Sequence, residues 1–268
     1  MSLNYRDQIK IVFFDIDETL LVKDKDYIPS SVIPALKALK ANGITPAIAT
    51  GRTNNTFPPK IKQLVEEVGI ELFVTMNGQR VHYQGEVIAK YPIPKAKIAQ
   101  IIRFLEAHHI EYGFVSESGI FVSNITEKVS GALDPLRTHY QQDKDYYLSH
   151  DVFQILPFYD VKQDKLVENS GILEGLQVIR WNENSVDLFD AQGSKARGIQ
   201  DALNHFGLVM ENAMAFGDGL NDIEMLKSVG VGVAMGNAHE NVKKAATHVT
   251  DHIESHGIAH FLQKTGLI

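Results

Sequence analysis

Four short segments of this 268-residue chain carry side chains that could do chemistry together. They contribute carboxylates, hydroxyls, amides and an ammonium group: Asp15-Ile16-Asp17-Glu18-Thr19-Leu20, Thr50-Gly51-Arg52, Lys195 and Gly217-Asp218-Gly219-Leu220-Asn221-Asp222. Aspartates crowded together cannot all stay ionised without a cation, because like charges raise their pKa values. A small set of hard oxygen ligands suits Mg²⁺, which also takes ligands from a substrate phosphate. A carboxylate, a hydroxyl and a lysine beside such a cation are what phosphoryl transfer requires.

The pair Asp15 and Asp17 is distinguished from chance pairs by its position. The chain has 17 aspartates, and an aspartate recurs two residues later after Asp15, Asp24 and Asp143. The last two pairs lie beside lysines in polar stretches that are typical of solvated loops. The first pair follows an apolar run over residues 9–14, so both side chains are predicted to lie at the end of a buried strand. That placement favours a functional role for this pair.

The other segments also lie where predicted strands or helices meet loops. Strands are predicted over residues 9–14, 44–50, 72–76 and 213–216, the third of them followed by Asn77-Gly78. Helical patterns between them, with Lys195 at the start of one over residues 194–205, imply parallel strands joined by right-handed crossovers. Because ligands of open α/β sheets bind outside the carboxyl ends of the strands, the four segments are expected to meet at one edge of the sheet.

The middle of the chain has a different pattern. Between residues 85 and 190, short strand-like pieces alternate with two predicted helices, over residues 95–108 and 126–140. Strand-helix alternation precedes and follows this stretch. The sequence therefore predicts a doubly wound, mostly parallel, Rossmann-like α/β core from residues 1–84 and 191–268, with an inserted α+β cap domain over residues 85–190.

Composition argues against several other classes of protein. Hydrophobic residues make up 44% and charged residues 22%, so the chain is predicted to be globular rather than disordered. The formal net charge of −7 argues against a dedicated nucleic-acid-binding protein, which carries a basic surface. No apolar run reaches the roughly 18 residues of a membrane helix, and the N-terminus lacks the pattern of a secretory signal. The absence of cysteine fits a reducing compartment, so a cytoplasmic location is predicted.

Taken in this order, the four segments resemble the four motifs of the haloacid dehalogenase (HAD) superfamily. The long insertion between the second and third motifs resembles its Cof-type phosphatases, which carry an α/β cap of the C2B kind, and Asn77-Gly78 also fits that subgroup. The resemblance covers the whole chain. One position departs from it, because Glu18 stands where these phosphatases usually have a small residue, commonly glycine.

The resemblance implies a role for the polar residues of the four segments. Asp15 would be the nucleophile that forms an aspartyl-phosphate, and Asp17 would protonate the leaving oxygen and then activate water. Thr50 and Lys195 would hold the phosphoryl oxygens, and the inserted domain would close over the site and select the leaving group. The residues implied to hold Mg²⁺ are Asp15, Asp17 through its backbone carbonyl, Asp218 and Asp222. Those implied at the phosphate or the substrate are Thr50, Gly51, Arg52, Asn77, Lys195 and Asn221.

Three functions fit these residues. The first is a Mg²⁺-dependent phosphomonoesterase that hydrolyses small phosphorylated metabolites such as sugar phosphates. The second is a phosphotransferase or phosphomutase that passes the phosphoryl group to a sugar hydroxyl, and Asp17 suits both. The third is a non-catalytic protein, either a phosphorylatable signalling receiver or a regulator that binds a phosphorylated ligand. A receiver domain also has an acidic pocket and a lysine, but it needs no inserted cap. In each case the expected partner is a small molecule, not a nucleic acid or a membrane; the sequence indicates neither the exact substrate nor the oligomeric state.

Overall fold

The structure is a computed structural model that describes residues 3–136 and 139–268. It divides into two compact units. The first comprises Met1–Arg52, Phe57–Lys90 and Ser194–Ile268, and the second comprises Thr53–Thr56 and Tyr91–Gly193. Most of the second unit is therefore one long insertion into the chain of the first.

Each unit contains a β-sheet. In chain order the strands are β1 (Ile11–Phe14), β2 (Thr45–Ala49), β3 (Leu72–Thr75), β4 (Arg80–Tyr83), β5 (Glu86–Lys90), β6 (Glu111–Ser116), β7 (Gly119–Val122), β8 (Tyr140–Gln142), β9 (Gln154–Phe158), β10 (Leu176–Asn182), β11 (Ser185–Asp190), β12 (Ala213–Gly217), β13 (Val231–Ala234) and β14 (His248–Val249). The α-helices are α1 (Val32–Ala41), α2 (Pro59–Val68), α3 (Lys95–Ala107), α4 (Glu127–Leu133), α5 (Asp164–Glu168), α6 (Lys195–His205), α7 (Ile223–Ser228), α8 (Glu240–Ala245) and α9 (Gly257–Lys264).

The sheet of the first unit has eight strands in the order β14-β13-β12-β1-β2-β3-β4-β5. Neighbouring strands from β14 to β3 are parallel, and β4 and β5 extend the sheet in antiparallel fashion. The chain passes from β1 to β2 on one side, whereas β12 lies on the other side, so the strand order reverses at β1. In this architecture, such a switch point is where ligands bind.

Apolar residues cover both faces of that sheet. On one face, Phe14 and Phe216 stack with 5.2 Å between ring centroids and pack with buried side chains of α1, α2 and α9. On the other face, Phe13 packs with Ile199 of α6 and with side chains of α7 and α8. Burial on both faces explains why β1 is apolar without alternation. The carboxyl end of β1 is thus held between two packed layers.

The sheet of the second unit has the strand order β10-β11-β9-β6-β7-β8. Its neighbouring strands are antiparallel except for β7 and β8, which are parallel. Helix α3 contributes Ile98 and Ile101 to an apolar cluster that includes Phe114 of β6 and Ile155 of β9. The second unit therefore has its own hydrophobic core and an α+β architecture.

One predicted helix of the second unit is wrong at its carboxyl end. The helix predicted over residues 126–140 ends at Leu133 and is followed by a single 3₁₀ turn, Asp134–Leu136. Pro135 explains the early end, because proline lacks the N–H that an α-helix needs and its ring clashes with the preceding turn. Residues 137 and 138 of the predicted helix lie outside the described residues, and β8 begins at Tyr140.

The predicted fold class, a doubly wound α/β core with an inserted α+β module, is confirmed by the two sheets. The limits of the units differ from the predicted ones at three places. Strand β5 pairs with β4 in the first unit, whereas residues 53–56 and 191–193 belong to the second. No helix within residues 3–136 and 139–268 is both long and apolar enough to cross a membrane.

The burial of His82 on β4 predicts that the stability of the protein depends on pH. The residue is 6% exposed, its ring stacks on Phe73 with 4.8 Å between centroids, and Arg80 Nη1 lies 3.2 Å from His82 Nδ1. Burial, assisted by the charge of Arg80, lowers the pKa of His82 from 6.5 to about 4. Between these pH values the unfolded chain binds a proton here that the folded chain does not, so stability falls as the pH is lowered.

We expect His82 alone to lower the free energy of unfolding by roughly 3 kcal/mol between pH 6.5 and about pH 4. His82→Asn keeps an acceptor near the position of Nδ1 but does not titrate, so this part of the pH dependence should disappear. Urea denaturation at a series of pH values measures the slopes. The exposed His252, which caps a turn through Nδ1, offers a matched control, and His252→Asn should keep the wild-type slope. Equal slopes for wild type and His82→Asn would contradict the prediction.

Candidate active site

Asp15 lies at the carboxyl end of β1, between β12 and β2. Its N–H donates to the carbonyl of Phe216 at 3.0 Å, which continues the pairing of β1 with β12 by one residue. Thr50 follows β2 directly, and Asp218 follows β12. Because these three strands are parallel neighbours, the structure brings the three polar residues to one edge of the sheet.

Lys195 opens α6 and is completely buried. Its Nζ donates to Asp15 Oδ1 and to Asp222 Oδ1, each at 2.6 Å. A cation in the first turn opposes the helix dipole, and burying it without partners costs much more. The two carboxylates offset both costs. Ser194 caps the helix by accepting the N–H of Arg197, which fixes the turn from which Lys195 projects.

Asp218 and Asp222 are tied to each other and to the first acidic segment. Asp222 Oδ2 accepts the N–H groups of Asp218 and Gly219, each at 2.9 Å. The hydroxyl of Thr19 donates to Asp218 Oδ1 at 2.8 Å. The close approach needs a glycine at Gly217, because a Cβ there would lie 2.6 Å from Asp222 Cγ. The first and last segments thus hold each other in place.

Burial makes Asp15 and Asp218 costly to ionise. It raises the pKa of Asp15 to about 8. Lys195 opposes that rise, and the neighbouring acids add to it. Burial likewise raises the pKa of Asp218 to about 7, against the opposing hydrogen bond from Thr19. Burial alone would lower the pKa of Lys195, but the charges of Asp15 and Asp222 outweigh it and raise that pKa, so the ammonium stays charged. One ammonium cannot neutralise three carboxylates, so further positive charge is needed to keep all three ionised.

The donor set fits a divalent cation with a preference for oxygen ligands. Carboxylate oxygens of Asp15, Asp218 and Asp222 lie within 4.8 Å of one another. All three members of this group are carboxylates, and none is an imidazole or a thiolate. Such a set of ligands suits Mg²⁺ better than zinc. The side chain of Asp17 does not belong to the group, and the role predicted for Asp17 at the metal concerns its backbone carbonyl.

The carboxylate of Asp17 is paired with Arg52. Arg52 Nε donates to Asp17 Oδ2 and Arg52 Nη2 donates to Asp17 Oδ1, each at 2.7 Å. This two-point contact of a planar guanidinium fixes both the position and the tilt of the carboxylate. The hydrogen bonds to Asp17 raise the pKa of Arg52 despite the opposing effect of burial. Arg52 is predicted from the sequence to contact the substrate, whereas the structure pairs its guanidinium with Asp17.

The amides of Asn77 and Asn221 lie together at the same edge of the sheet. Asn221 Nδ2 donates to Asn77 Oδ1 at 3.1 Å, and the N–H of Asn77 donates to the Thr50 carbonyl at 3.1 Å. Gly51 lies against this pair, since a Cβ on it would be 3.2 Å from Asn77 Oδ1. Thr50 is 1% exposed, and its Oγ1 accepts the N–H of Arg52 at 3.2 Å. Asn77 therefore joins the second segment to the fourth.

The turn at Asn77-Gly78 lies against the start of α6. Gly78 has a φ of 81°, and a Cβ on it would overlap the carbonyl oxygen of Ser194. Only glycine combines that conformation with so close an approach. Because Lys195 follows Ser194 directly, the contact at Gly78 sets where the lysine enters the site.

Two residues that hold these segments were not found from the sequence. The first is Thr19, whose place two residues after Asp17 was the available signal. The second is Asn237, on the loop after β13, whose Nδ2 donates to the Glu18 carbonyl at 2.7 Å. Glu18 itself has a φ of 56°, in the left-handed region that favours glycine. That conformation explains why the resemblance leads to the expectation of a small residue at this position.

Comparison with known proteins identifies the class of protein that this fold and site define. The chain belongs to the haloacid dehalogenase-like hydrolases, because the model of that family matches residues 12–262. The match spans both units of the chain. The predicted superfamily is therefore confirmed.

Three relatives illustrate the match. A Streptococcus pyogenes protein named "Putative bifunctional phosphatase/peptidyl-prolyl cis-trans isomerase" is 36% identical over 269 residues. That match covers 100% of this chain but only 56% of the length of the Streptococcus protein. The Bacillus subtilis "Putative phosphatase YkrA" is 33% identical over 262 residues, which cover 97% of this chain and 98% of that protein. A solved structure of a HAD subclass IIB sugar phosphatase is 35% identical with a TM-score of 0.81, and the match covers 97% of this chain and 100% of that chain. The phosphatase names of these relatives bear out the predicted enzyme class.

Proposed function

We propose that the protein is a Mg²⁺-dependent phosphomonoesterase that hydrolyses small phosphorylated metabolites through an aspartyl-phosphate. The observation that carries the proposal is the buried Asp15, held by Lys195 at 2.6 Å, with Asp218 and Asp222 close enough to share a cation with it. Such a group of buried charges is costly to maintain. A divalent cation would balance the excess negative charge, and the cation together with Lys195 would then attract an anionic phosphoryl group.

The reaction is proposed to proceed in two displacements at phosphorus. Lys195 holds Asp15 Oδ1, so Asp15 Oδ2 is the oxygen that attacks. As Oδ2 bonds to phosphorus, the bond to the ester oxygen breaks and Asp17 gives its proton to the departing alkoxide. Asp17 then takes a proton from water while the water oxygen attacks phosphorus, the bond to Asp15 breaks, and inorganic phosphate leaves. In the structure Arg52 orients the side chain of Asp17, which makes both proton transfers, and Arg52 would also face the substrate.

The remaining residues are proposed to bind the transferring group and the cation. Asp15, Asp218, Asp222 and the backbone carbonyl of Asp17 would hold Mg²⁺, which when bound supplies positive charge to the phosphoryl oxygens. The residues proposed to hold the phosphoryl group or the rest of the substrate are Thr50, Gly51, Arg52, Asn77, Lys195 and Asn221.

The second unit is proposed to be the cap that selects among phosphorylated substrates. The subclass IIB sugar phosphatase among the relatives makes sugar phosphates the first substrates to test. The lack of cysteine supports a cytoplasmic location. The net charge of −7 supports a small-molecule partner rather than a nucleic acid.

Phosphate release from a panel of sugar phosphates, nucleotides and phosphorylated cofactors tests the proposal. We expect turnover in Mg²⁺, a loss of at least about 100-fold after treatment with EDTA, and recovery when Mg²⁺ is restored. The physical reason is that the charge developing on the phosphoryl oxygens would otherwise be only partly balanced. The measurement is kcat/KM for each substrate.

Other outcomes of the panel would lead to other conclusions. Full activity in metal-free buffer would remove the cation from the mechanism. An isomeric phosphate ester in place of inorganic phosphate would indicate a phosphomutase. Binding of phosphorylated ligands without turnover of any of them would indicate a non-catalytic regulator.

A further inference from the structure

The loop that joins β13 to α8 lies beside the last of the four segments, residues 217–222. Met235 N–H donates to the Gly217 carbonyl at 2.9 Å, and His239 N–H donates to the Asp218 carbonyl at 3.3 Å. Both contacts are made by backbone groups. They fix the course of the loop independently of the side chains at its two ends.

Asn237 lies in the middle of this loop and uses both ends of its half-buried amide. Its Nδ2 donates to the Glu18 carbonyl at 2.7 Å, and its Oδ1 accepts the N–H of Ile253 at 2.9 Å. Next to it, Gly236 N–H donates to the Asp251 carbonyl at 3.0 Å, so the loop is also attached to the backbone before Ile253. Asn237 therefore links a fixed part of the first unit to the first acidic segment.

Glu18 has a conformation that needs such a contact. Its φ of 56° lies in the region that residues other than glycine avoid, because Cβ approaches the following carbonyl oxygen. Three hydrogen bonds hold it there. Its N–H donates to the Leu21 carbonyl at 2.8 Å, its Oε1 accepts the Lys23 N–H at 2.8 Å, and its carbonyl accepts from Asn237. Without the last of these, the peptide that follows Glu18 loses the group that fixes its orientation.

The residues on either side of Glu18 are part of the site. Asp17 precedes it and has its carboxylate held by Arg52, and Thr19 follows it and donates to Asp218. A rotation of the backbone at Glu18 would move both side chains relative to partners that are fixed elsewhere. A displacement of about 1 Å at such a position is enough to lower a rate by about 100-fold.

We propose that Asn237 is a positioning residue of the active site. By holding the Glu18 carbonyl, it keeps Asp17 and Thr19 in the geometry that the reaction requires, although it touches no reacting atom. The proposal rests on the proposed function, because turnover is its main readout. It predicts an effect on kcat rather than on substrate binding, and it predicts that the effect depends on the residue at position 18.

A double-mutant cycle between Asn237 and Glu18 tests the inference. Asn237→Asp keeps the acceptor for the Ile253 N–H and loses the donor, whereas Asn237→Ala loses both. Each is expected to lower kcat roughly 10- to 100-fold while KM changes less than about 3-fold. Glycine adopts a positive φ at no steric cost. In the Glu18→Gly background, the fold-loss of kcat caused by either Asn237 substitution should therefore be at least about 5-fold smaller than in the wild-type background.

Controls separate this role from a general effect on folding. Asn241→Asp makes the same chemical change at an exposed residue of α8 and should leave kcat unchanged. Thermal unfolding without added metal is a second readout, and Asn237→Ala should lower Tm less in the Glu18→Gly background. If the alanine variant does not fold, the aspartate variant decides, because it keeps the Ile253 contact.

Two results would overturn the inference. One is a folded Asn237 variant whose kcat lies within about 2-fold of wild type, a change too small for a lost positioning contact. The other is an equal loss in both backgrounds, which would mean that Asn237 does not act through Glu18. A wild-type protein that releases no phosphate would instead defeat the proposed function, and the Tm cycle would still test the contact.

Discussion

Asp15→Asn is expected to lower kcat for phosphate release by at least about 10⁴-fold while the fold is retained. An amide is a far poorer nucleophile than a carboxylate, and Asp15 is the side chain proposed to bond to phosphorus. The amide has the same shape, and its Oδ1 can still accept from Lys195. The change also removes one of three neighbouring acids, the others being Asp218 and Asp222, so Tm should not fall.

Two measurements check this prediction. One is kcat on the best substrate of the panel, and the other is mass spectrometry of acid-quenched enzyme, which should find a phosphoryl group on Asp15 in wild type only. Asp24→Asn is a matched control, because Asp24 belongs to an exposed aspartate pair with the same spacing and should be dispensable. Activity of Asp15→Asn near that of wild type would refute the covalent step and leave the metal dependence as a separate question.

The positions of the candidate residues along the strands could be predicted because parallel sheets have a simple geometry. Asp15, Thr50 and Asp218 each follow a strand directly, and neighbouring parallel strands end at the same edge. An apolar run without alternation is a sufficient signal for such a strand. Lys195 was expected to reach the same edge from the start of a helix, and the structure places its Nζ 2.6 Å from Asp15 Oδ1.

Which side chains pair at that edge could not be predicted from the sequence. The contact of Arg52 with Asp17 depends on rotamers and on the exact course of two loops, neither of which leaves a periodic pattern. The contact of Asn237 with Glu18 joins residues 219 positions apart, and a single asparagine in a loop carries no signal of its own. The left-handed conformation of Glu18 is imposed by the surrounding turn rather than by the residue type.

The boundary at which the inserted unit begins was also not predicted correctly from the sequence, and strands β4 and β5 show why. Strands β4 and β5 form a hairpin whose two loop residues, Gln84 and Gly85, have φ values of 50° and 84°. Such a turn is most readily recognised when asparagine or aspartate precedes glycine, and glutamine gives a weaker signal. Strand β5 is also largely exposed, so it lacks the apolar pattern of the inner strands. The predicted core therefore ended one strand too early.

Lys195→Met is expected to destabilise the protein by roughly 3–5 kcal/mol at alkaline pH and to abolish turnover. Methionine fills a similar volume, so packing is nearly conserved. The charge is not conserved, because Asp15 and Asp222 would lose the buried ammonium that both contact at 2.6 Å. Removing one charge from a buried set leaves the remaining charges uncompensated. The resulting loss of stability is larger than the net stabilisation that the intact set provides.

The deficit of Lys195→Met should shrink as the pH falls. Burial already raises the pKa of Asp15 from 3.8 to about 8, and losing the opposing charge of Lys195 raises it further. A carboxyl group whose folded pKa exceeds its unfolded pKa binds more protons in the folded state, so its contribution to stability is present at low pH and is lost as the pH rises through the folded pKa. Urea denaturation of both proteins between about pH 6 and pH 10 measures the deficit, which should be smallest below about pH 8, where Asp15 is largely protonated in both proteins. Lys227→Met, at an exposed lysine of α7, controls for the loss of a lysine as such, and a deficit that stays constant over this range would contradict the buried charge balance.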